Sequence, residues 1–212
     1  MDEFLQATEV IDWGSPTVLS LATELSGGSD DDEAVAQKCF LWVRDQVRHS
    51  SDHRIPIVTC AASEVLAHRA GFCYAKSHLL AALLRARGIP AALCYQRLTL
   101  DEEGARFCLH GLVAVFLRRH GWYRIDPRGD KPGVATDFTP PVERLAFQLR
   151  KPGECDIAER FADALPCVVA ALRGHCTADE VALNLPDLSP TCESSNGSNL
   201  RRAKYALQAG VV

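Results

Sequence analysis

An α+β domain, helices first and an antiparallel sheet after them, is the fold class the sequence predicts, and three observations predict it. Apolar residues recur at helical spacing as far as residue 87. Three short apolar stretches, 93–98, 109–117 and 122–126, then follow with polar turns between them, as strands do. The 212 residues are 47% hydrophobic and 24% charged, which suffices for one full core and excludes a wholly disordered or fibrous chain.

Taken in order, Ser15-Pro16 reads as an N-cap with proline at the first helical position. Val18, Leu21, Ala22 and Leu25 then carry a helix to the stop at Gly27-Gly28. The acids of 30–33 open a second helix, whose stripe of Ala36, Phe40, Val43 and Val47 runs to Arg48. Residues 49–60 hold Pro56 and little periodicity, which predicts a loop long enough to rim a site. A short helix over 63–71 has a serine cap and a glycine end. Phe72 and Cys73 open the strongest helical run, 74–87, closed by Gly88-Ile89-Pro90.

The three strands come next, joined by turns at 101–104 and 118–121. Beyond Pro127, prolines and glycines predict a long loop over the sheet, then two or three short helices from Cys155. The last carries a capping box from Thr177 to Glu180. Ser, Asn, Pro and Gly dominate after Asp187 and predict a disordered tail. The chain thus divides into a main domain over 1–150, with helices at 15–48 and core motifs at 60–127. A helical extension over 151–186 and a tail over 187–212 follow.

A net charge of −4 without a basic run argues against a nucleic-acid partner. No run of about 18 apolar residues occurs, so no membrane span is expected. Residues 1–6 lack the basic and apolar segments of a signal peptide, which predicts a cytoplasmic protein. The nine cysteines are odd in number and none forms a C-x-x-C pair, so neither a disulfide framework nor a metal site is expected. Most should be small buried hydrophobes.

Cys73 stands apart by position. It falls in the first turn of its helix, where unpaired N–H groups and the helix dipole favour a thiolate. Its face continues through Lys76, Ser77, Leu80 and Leu84, with Lys76 expected in solvent. A thiolate nucleophile needs a base and a group that orients the base. His110 opens one strand and Asp126 ends the next. A turn over 117–121 sets Asp126 opposite Leu112 and diagonal to His110, at about 7–8 Å between backbones, within side-chain reach. A turn shorter by one residue would put the two on opposite faces.

Three motifs in this order resemble the transglutaminase-like superfamily. Gly71-Phe72-Cys73-Tyr74-Ala75-Lys76-Ser77, with Arg85-Ala86-Arg87-Gly88-Ile89-Pro90-Ala91 after it, is similar to that family's nucleophile helix. Leu109-His110-Gly111 resembles its histidine strand, and Gly121-Trp122-Tyr123-Arg124-Ile125-Asp126-Pro127 its aspartate strand. The similarity covers residues 40–127 and implies a papain-like α+β fold, the cysteine helix packed on an antiparallel sheet, with 1–150 as the catalytic domain. It also implies a triad: Cys73 as nucleophile, His110 as base and acid, Asp126 as orienter. Many members follow the histidine with Ala-Trp and the aspartate with Pro-Thr. Here Gly111-Leu112 and Pro127-Arg128 stand there and change the walls of the cleft.

An oxyanion hole is expected to include the Cys73 backbone N–H. Trp42, His49, His53 and Thr59 lie upstream as candidates for a second donor, and the sequence does not choose among them. His68, His78, His120 and His175 show no partner spacing. The leading expectation is a cysteine-nucleophile enzyme that cleaves or transfers an acyl group from an amide or thioester. As a peptidase or amidase, a transglutaminase or an acyltransferase, it would act on a peptide, protein or acyl-thioester. It needs no metal and no organic cofactor. The alternative is a non-catalytic protein-interaction domain that retains the fold, and retention of all three triad residues counts against it.

Overall fold

The structure, a computed structural model, describes residues 1–102, 104–129 and 131–188. Four helices precede the main sheet: α1 (Pro16–Ser26), α2 (Asp32–Gln46), α3 (Ala62–His68) and α4 (Cys73–Ala86). Between them lie two-residue strands β1 (Arg48–His49) and β2 (Ala70–Gly71). The sheet comprises β3 (Ala91–Thr99), β4 (Phe107–Leu117), β5 (Gly121–Ile125) and β6 (Cys155–Asp156), and α5 (Pro166–Arg173) and α6 (Ala178–Leu183) follow. The α+β class and the three predicted strands are therefore present, each strand within two residues of its expected ends.

Helix ends follow local chemistry. Pro16 starts α1, and Gly27 ends it in the left-handed region at φ 55°, its N–H bonded to the Thr23 and Glu24 carbonyls. Ser15 occupies the cap position of α1, but its hydroxyl meets Thr17 Oγ1 at 3.2 Å and caps no backbone N–H. Asp31 caps α2 by accepting from Glu33 N–H at 3.2 Å. Thr177 and Glu180 form the expected capping box of α6.

Every side chain of α4 from Cys73 to Arg85 is buried. A helix enclosed on all sides belongs inside a core, and α4 packs between α1, α2 and α3 on one side and β3 and β4 on the other. Two of its polar side chains are held by carbonyls: His78 Nδ1 lies 2.8 Å from that of Cys60, and the Arg85 guanidinium donates to those of Gln6, Ala91 and Ala162, whereas Ser77 Oγ and His78 Nε2 are buried without a hydrogen-bond partner among the described residues.

The sheet order is β5-β4-β3-β6, antiparallel throughout. Leu117 pairs with Gly121 and Val113 with Ile125, the register that sets Asp126 diagonal to His110. Leu93, Tyr95, Leu109, Val113 and Ile125 join the main core with α4. Ala92, Cys94, Leu112 and Ala114 form a second cluster on the other face, against Phe4, Trp122 and Leu145.

Further expectations differ from the structure. Ser63 lies inside α3, whose cap residue is Ala61 and whose left-handed end is Arg69 rather than Gly71. Cys155 begins no helix: Cys155 and Asp156 pair with Arg97 and Gln96, because the β3 edge would otherwise leave its backbone unpaired. Within the predicted loop 49–60, His49 pairs in parallel with Gly71 as part of β1 and β2. The expected tail is tied down at its start, where Asp187 meets Arg97 at 2.7 Å and Leu188 is buried. Residues 189–212, including Cys192, lie outside the described residues.

Candidate active site

β5 stops pairing with β4 at Val113, and the start of α4 fills the open edge beyond it. There the Gly111 N–H points at Cys73 Sγ, 3.4 Å away. A Cβ on Gly111 would lie 2.9 Å from Tyr74 Cδ1 and 3.1 Å from Tyr74 Cα, so this approach requires glycine. The Tyr74 hydroxyl donates to the Leu109 carbonyl and ties the same strand to the same helix. The first intrahelical bond is from Lys76 N–H to the Phe72 carbonyl, which leaves the amides of 73–75 ahead of the ladder.

The structure brings Cys73, His110 and Asp126 together. Asp126 Oδ2 lies 2.7 Å from His110 Nε2, and Cys73 lines the same cleft as the imidazole, near enough for its sulfur to bear on the ring's charge. Asp126 is fully buried and accepts two further bonds, from Arg128 N–H to Oδ1 and Ala146 N–H to Oδ2, both 3.0 Å. Burial opposes charge on both partners. For His110 the Asp126 carboxylate and the Cys73 sulfur outweigh it and raise the imidazolium to about 10. Burial likewise pushes Asp126 up, but the His110 charge and the hydrogen bonds hold it below the usual carboxylate range.

Phe147 stands edge-on to the His110 ring, centroids 4.9 Å apart. It comes from the long loop after Pro127, and nothing periodic in the sequence marks it. The cleft around Cys73 and His110 has a volume of about 370 Å³ and is also walled by His49, Phe72, Arg128, Lys131 and Leu185. Arg128, the departure from Pro-Thr, has its Nη1 2.8 Å from Asp52 Oδ2, while Lys131 Nζ lies 3.1 Å from Oδ1.

Of the four upstream candidates, His49 lines this cleft. It packs against the Phe72 ring, with Nδ1 3.6 Å from Asp52 Oδ2, beyond hydrogen-bond length. Burial first, then the Arg128 charge, lowers its imidazole to about 3, so it is neutral at physiological pH. Thr59 donates to the Ala70 carbonyl at 2.8 Å, Trp42 lies under the Arg69 guanidinium, and His53 is exposed.

Lys76 overturns the expectation of a solvated side chain: it is 0% exposed. Its ammonium donates to the Val47 and Arg44 carbonyls at the end of α2, where the helix dipole favours a cation. Burial lowers it to about 7, with Asp126 pulling the other way. Its linkage therefore opposes that of His110. The His110 contribution to stability is full below its unfolded value of 6.5 and is lost as pH rises through about 10. Lys76 falls below its unfolded 10.5, so stability rises with pH between about 7 and 10.5. The Lys76→Met variant is therefore expected to lose unfolding free energy more steeply than the parent from pH 7 to 10. Urea unfolding across that range measures it, and a slope no steeper would exclude a titrating buried amine.

Cys39, Cys60, Cys94 and Cys108 are buried, and burial raises their thiols to about 11 or 12. Each of the eight described cysteines is free, and Cys176 is exposed. Among the described residues no group of His, Cys, Asp and Glu is placed to hold a metal, and no helix is long and apolar enough to cross a membrane.

The family profile of the transglutaminase-like superfamily matches residues 19–127. Among solved structures, a putative cysteine protease from Cytophaga hutchinsonii is 21% identical, with a TM-score of 0.47 over 59% of this chain and 40% of that one. The periplasmic domain of TgpA from Pseudomonas aeruginosa is 23% identical, with a TM-score of 0.45 over 58% and 45%. The chain thus spans less than half the length of either. No curated protein matches it.

Proposed function

The chain belongs to the transglutaminase-like superfamily, and from that premise we propose that it is a cysteine-nucleophile enzyme that transfers an acyl group from an amide or thioester. One observation carries the reading: a buried Asp126–His110 pair at 2.7 Å whose imidazole shares its cleft with a cysteine at the start of a helix.

The Cys73 sulfur attacks the donor carbonyl while paired with the His110 imidazolium. The tetrahedral oxygen forms near the amides at the start of α4, where the Cys73 N–H is a donor. His110 then gives its proton to the departing amine or thiol, and the acyl group stays on Cys73 as a thioester. In the second half His110 takes a proton from water or an amine, which attacks the thioester and frees the sulfur. Asp126 keeps Nε2 engaged throughout and so turns the other ring nitrogen to the sulfur. Peptides, proteins and acyl-thioesters supply donors of this kind. A reducing compartment such as the cytoplasm suits the free thiols.

Limiting iodoacetamide from pH 5 to 8, followed by peptide mapping, tests the activated sulfur. Cys73 is expected to be alkylated first across the range, ahead of exposed Cys176. Preferential reaction at Cys176 at every pH would exclude it.

A further inference from the structure

We propose that residues 184–188 form a strap that closes one end of the Cys73 cleft and confines the acyl donor to a chain end or a side-chain amide. The inference rests on the acyl-transfer reading above and names its substrate class. An open strand edge beside a nucleophile is where an extended polypeptide can add as one more strand. In this chain β5 leaves the edge of β4 free on the His110 side of Val113. That edge is nevertheless taken.

The Leu109 N–H, one residue before His110, donates to the Pro186 carbonyl at 2.7 Å. The Leu109 carbonyl accepts from Tyr74, and the next outward N–H, from Gly111, points at Cys73 Sγ. Both backbone groups of Leu109, the residue before His110, are therefore engaged, and a substrate strand cannot pair there without displacing Pro186. The strap is also fastened. Arg97 Nε and Nη2 each lie 2.7 Å from an Asp187 oxygen, a two-pronged charged contact of the stronger kind. The same guanidinium lies 3.6 Å over the Phe107 ring and donates to the Gly153 carbonyl. Leu188 is buried beyond it, while Leu185 and Ala182 turn into the cleft.

A polypeptide running through the cleft would have to displace Pro186 and break the Arg97–Asp187 fork. A chain end or a glutamine-like side chain can enter between His49, Arg128 and Phe147 and leave the strap in place.

Two peptidyl vinyl sulfones of one sequence test this, one ending at the electrophile and the other continuing past it, with iodoacetamide as the small reagent. The parent protein is expected to be alkylated at Cys73 about tenfold faster by the chain-end probe, a difference of about 1.4 kcal/mol. In Asp187→Ala and in Arg97→Ala the gap should shrink to about twofold, with the iodoacetamide rate unchanged. Equal rates for the two probes on the parent protein, or a full gap in both variants, would overturn the strap. If iodoacetamide itself does not select Cys73 in the parent, the acyl-transfer reading fails instead. If selectivity is lost only in a variant, that variant is unfolded and the comparison on the parent protein decides.

Discussion

Replacing His110 by alanine is expected to lower kcat/KM for any acyl donor by about 10²–10⁴, the range of general acid–base catalysis. The same change should remove the preference of iodoacetamide for Cys73, because the imidazolium is the positive charge that stands beside the sulfur. It also leaves Asp126 fully buried with two backbone N–H donors and without its imidazolium partner. Breaking a buried pair from one side costs about 3–5 kcal/mol, so the variant should unfold at lower urea. Rates are therefore compared at a temperature where circular dichroism shows it folded. Cys73→Ala is the companion variant: it should form no acyl-enzyme detectable by intact mass and retain the parent's pH dependence of stability only in part. In the parent, the Asp126 contribution is lost as pH falls below the usual carboxylate range and that of His110 as pH rises through about 10. A His110→Ala protein with parental kcat/KM would end the triad assignment.

Gly111→Ala is expected to cost about 10² in kcat/KM while every proposed catalytic side chain stays in the sequence. The added methyl meets the Tyr74 ring at 2.9 Å, its Cα at 3.1 Å and its N at 3.3 Å. Two of these atoms are backbone of α4, so no rotamer change relieves the contact. Either β4 or the start of α4 must shift, and the shift separates Cys73 from His110. Overpacking of this kind costs about 1–3 kcal/mol of stability. The two readouts should part: Gly111→Ala loses more activity than stability, whereas a remote core change does the reverse. Steady-state kinetics with urea unfolding on the same sample measures both, and full activity at reduced stability would show that the close approach does not position the sulfur.

Much of the site's frame could be read in the residues because it depends on local periodicity. The run after Phe72 announces a helix that starts at Cys73, and a period of two along β4 and β5 makes the relation of His110 to Asp126 a matter of turn length. The strand at Cys155 is not legible along the chain, because a two-residue edge strand has no period of its own and the partner edge of β3 decides it. Phe147 was invisible for a related reason. It reaches His110 through an irregular loop, and loops carry no spacing rule.

Lys76 shows where sequence reasoning stops. A lysine at the fourth position of a helix is ordinarily solvated, and nothing near it in the chain says otherwise. Its ammonium can be buried because α2 ends against it and offers carbonyls from 29 and 32 residues away. The same holds for the Arg128–Asp52 wall and for Pro186 on Leu109. The sequence by itself determined the α+β order and the family, and it pointed to Cys73, His110 and Asp126 as residues the fold would bring together, since these follow from helix and strand periods and from motifs along the chain. Only the tertiary structure decided what surrounds them, because charge compensation, close packing and the capture of a strand edge are made by residues with no periodic relation to one another.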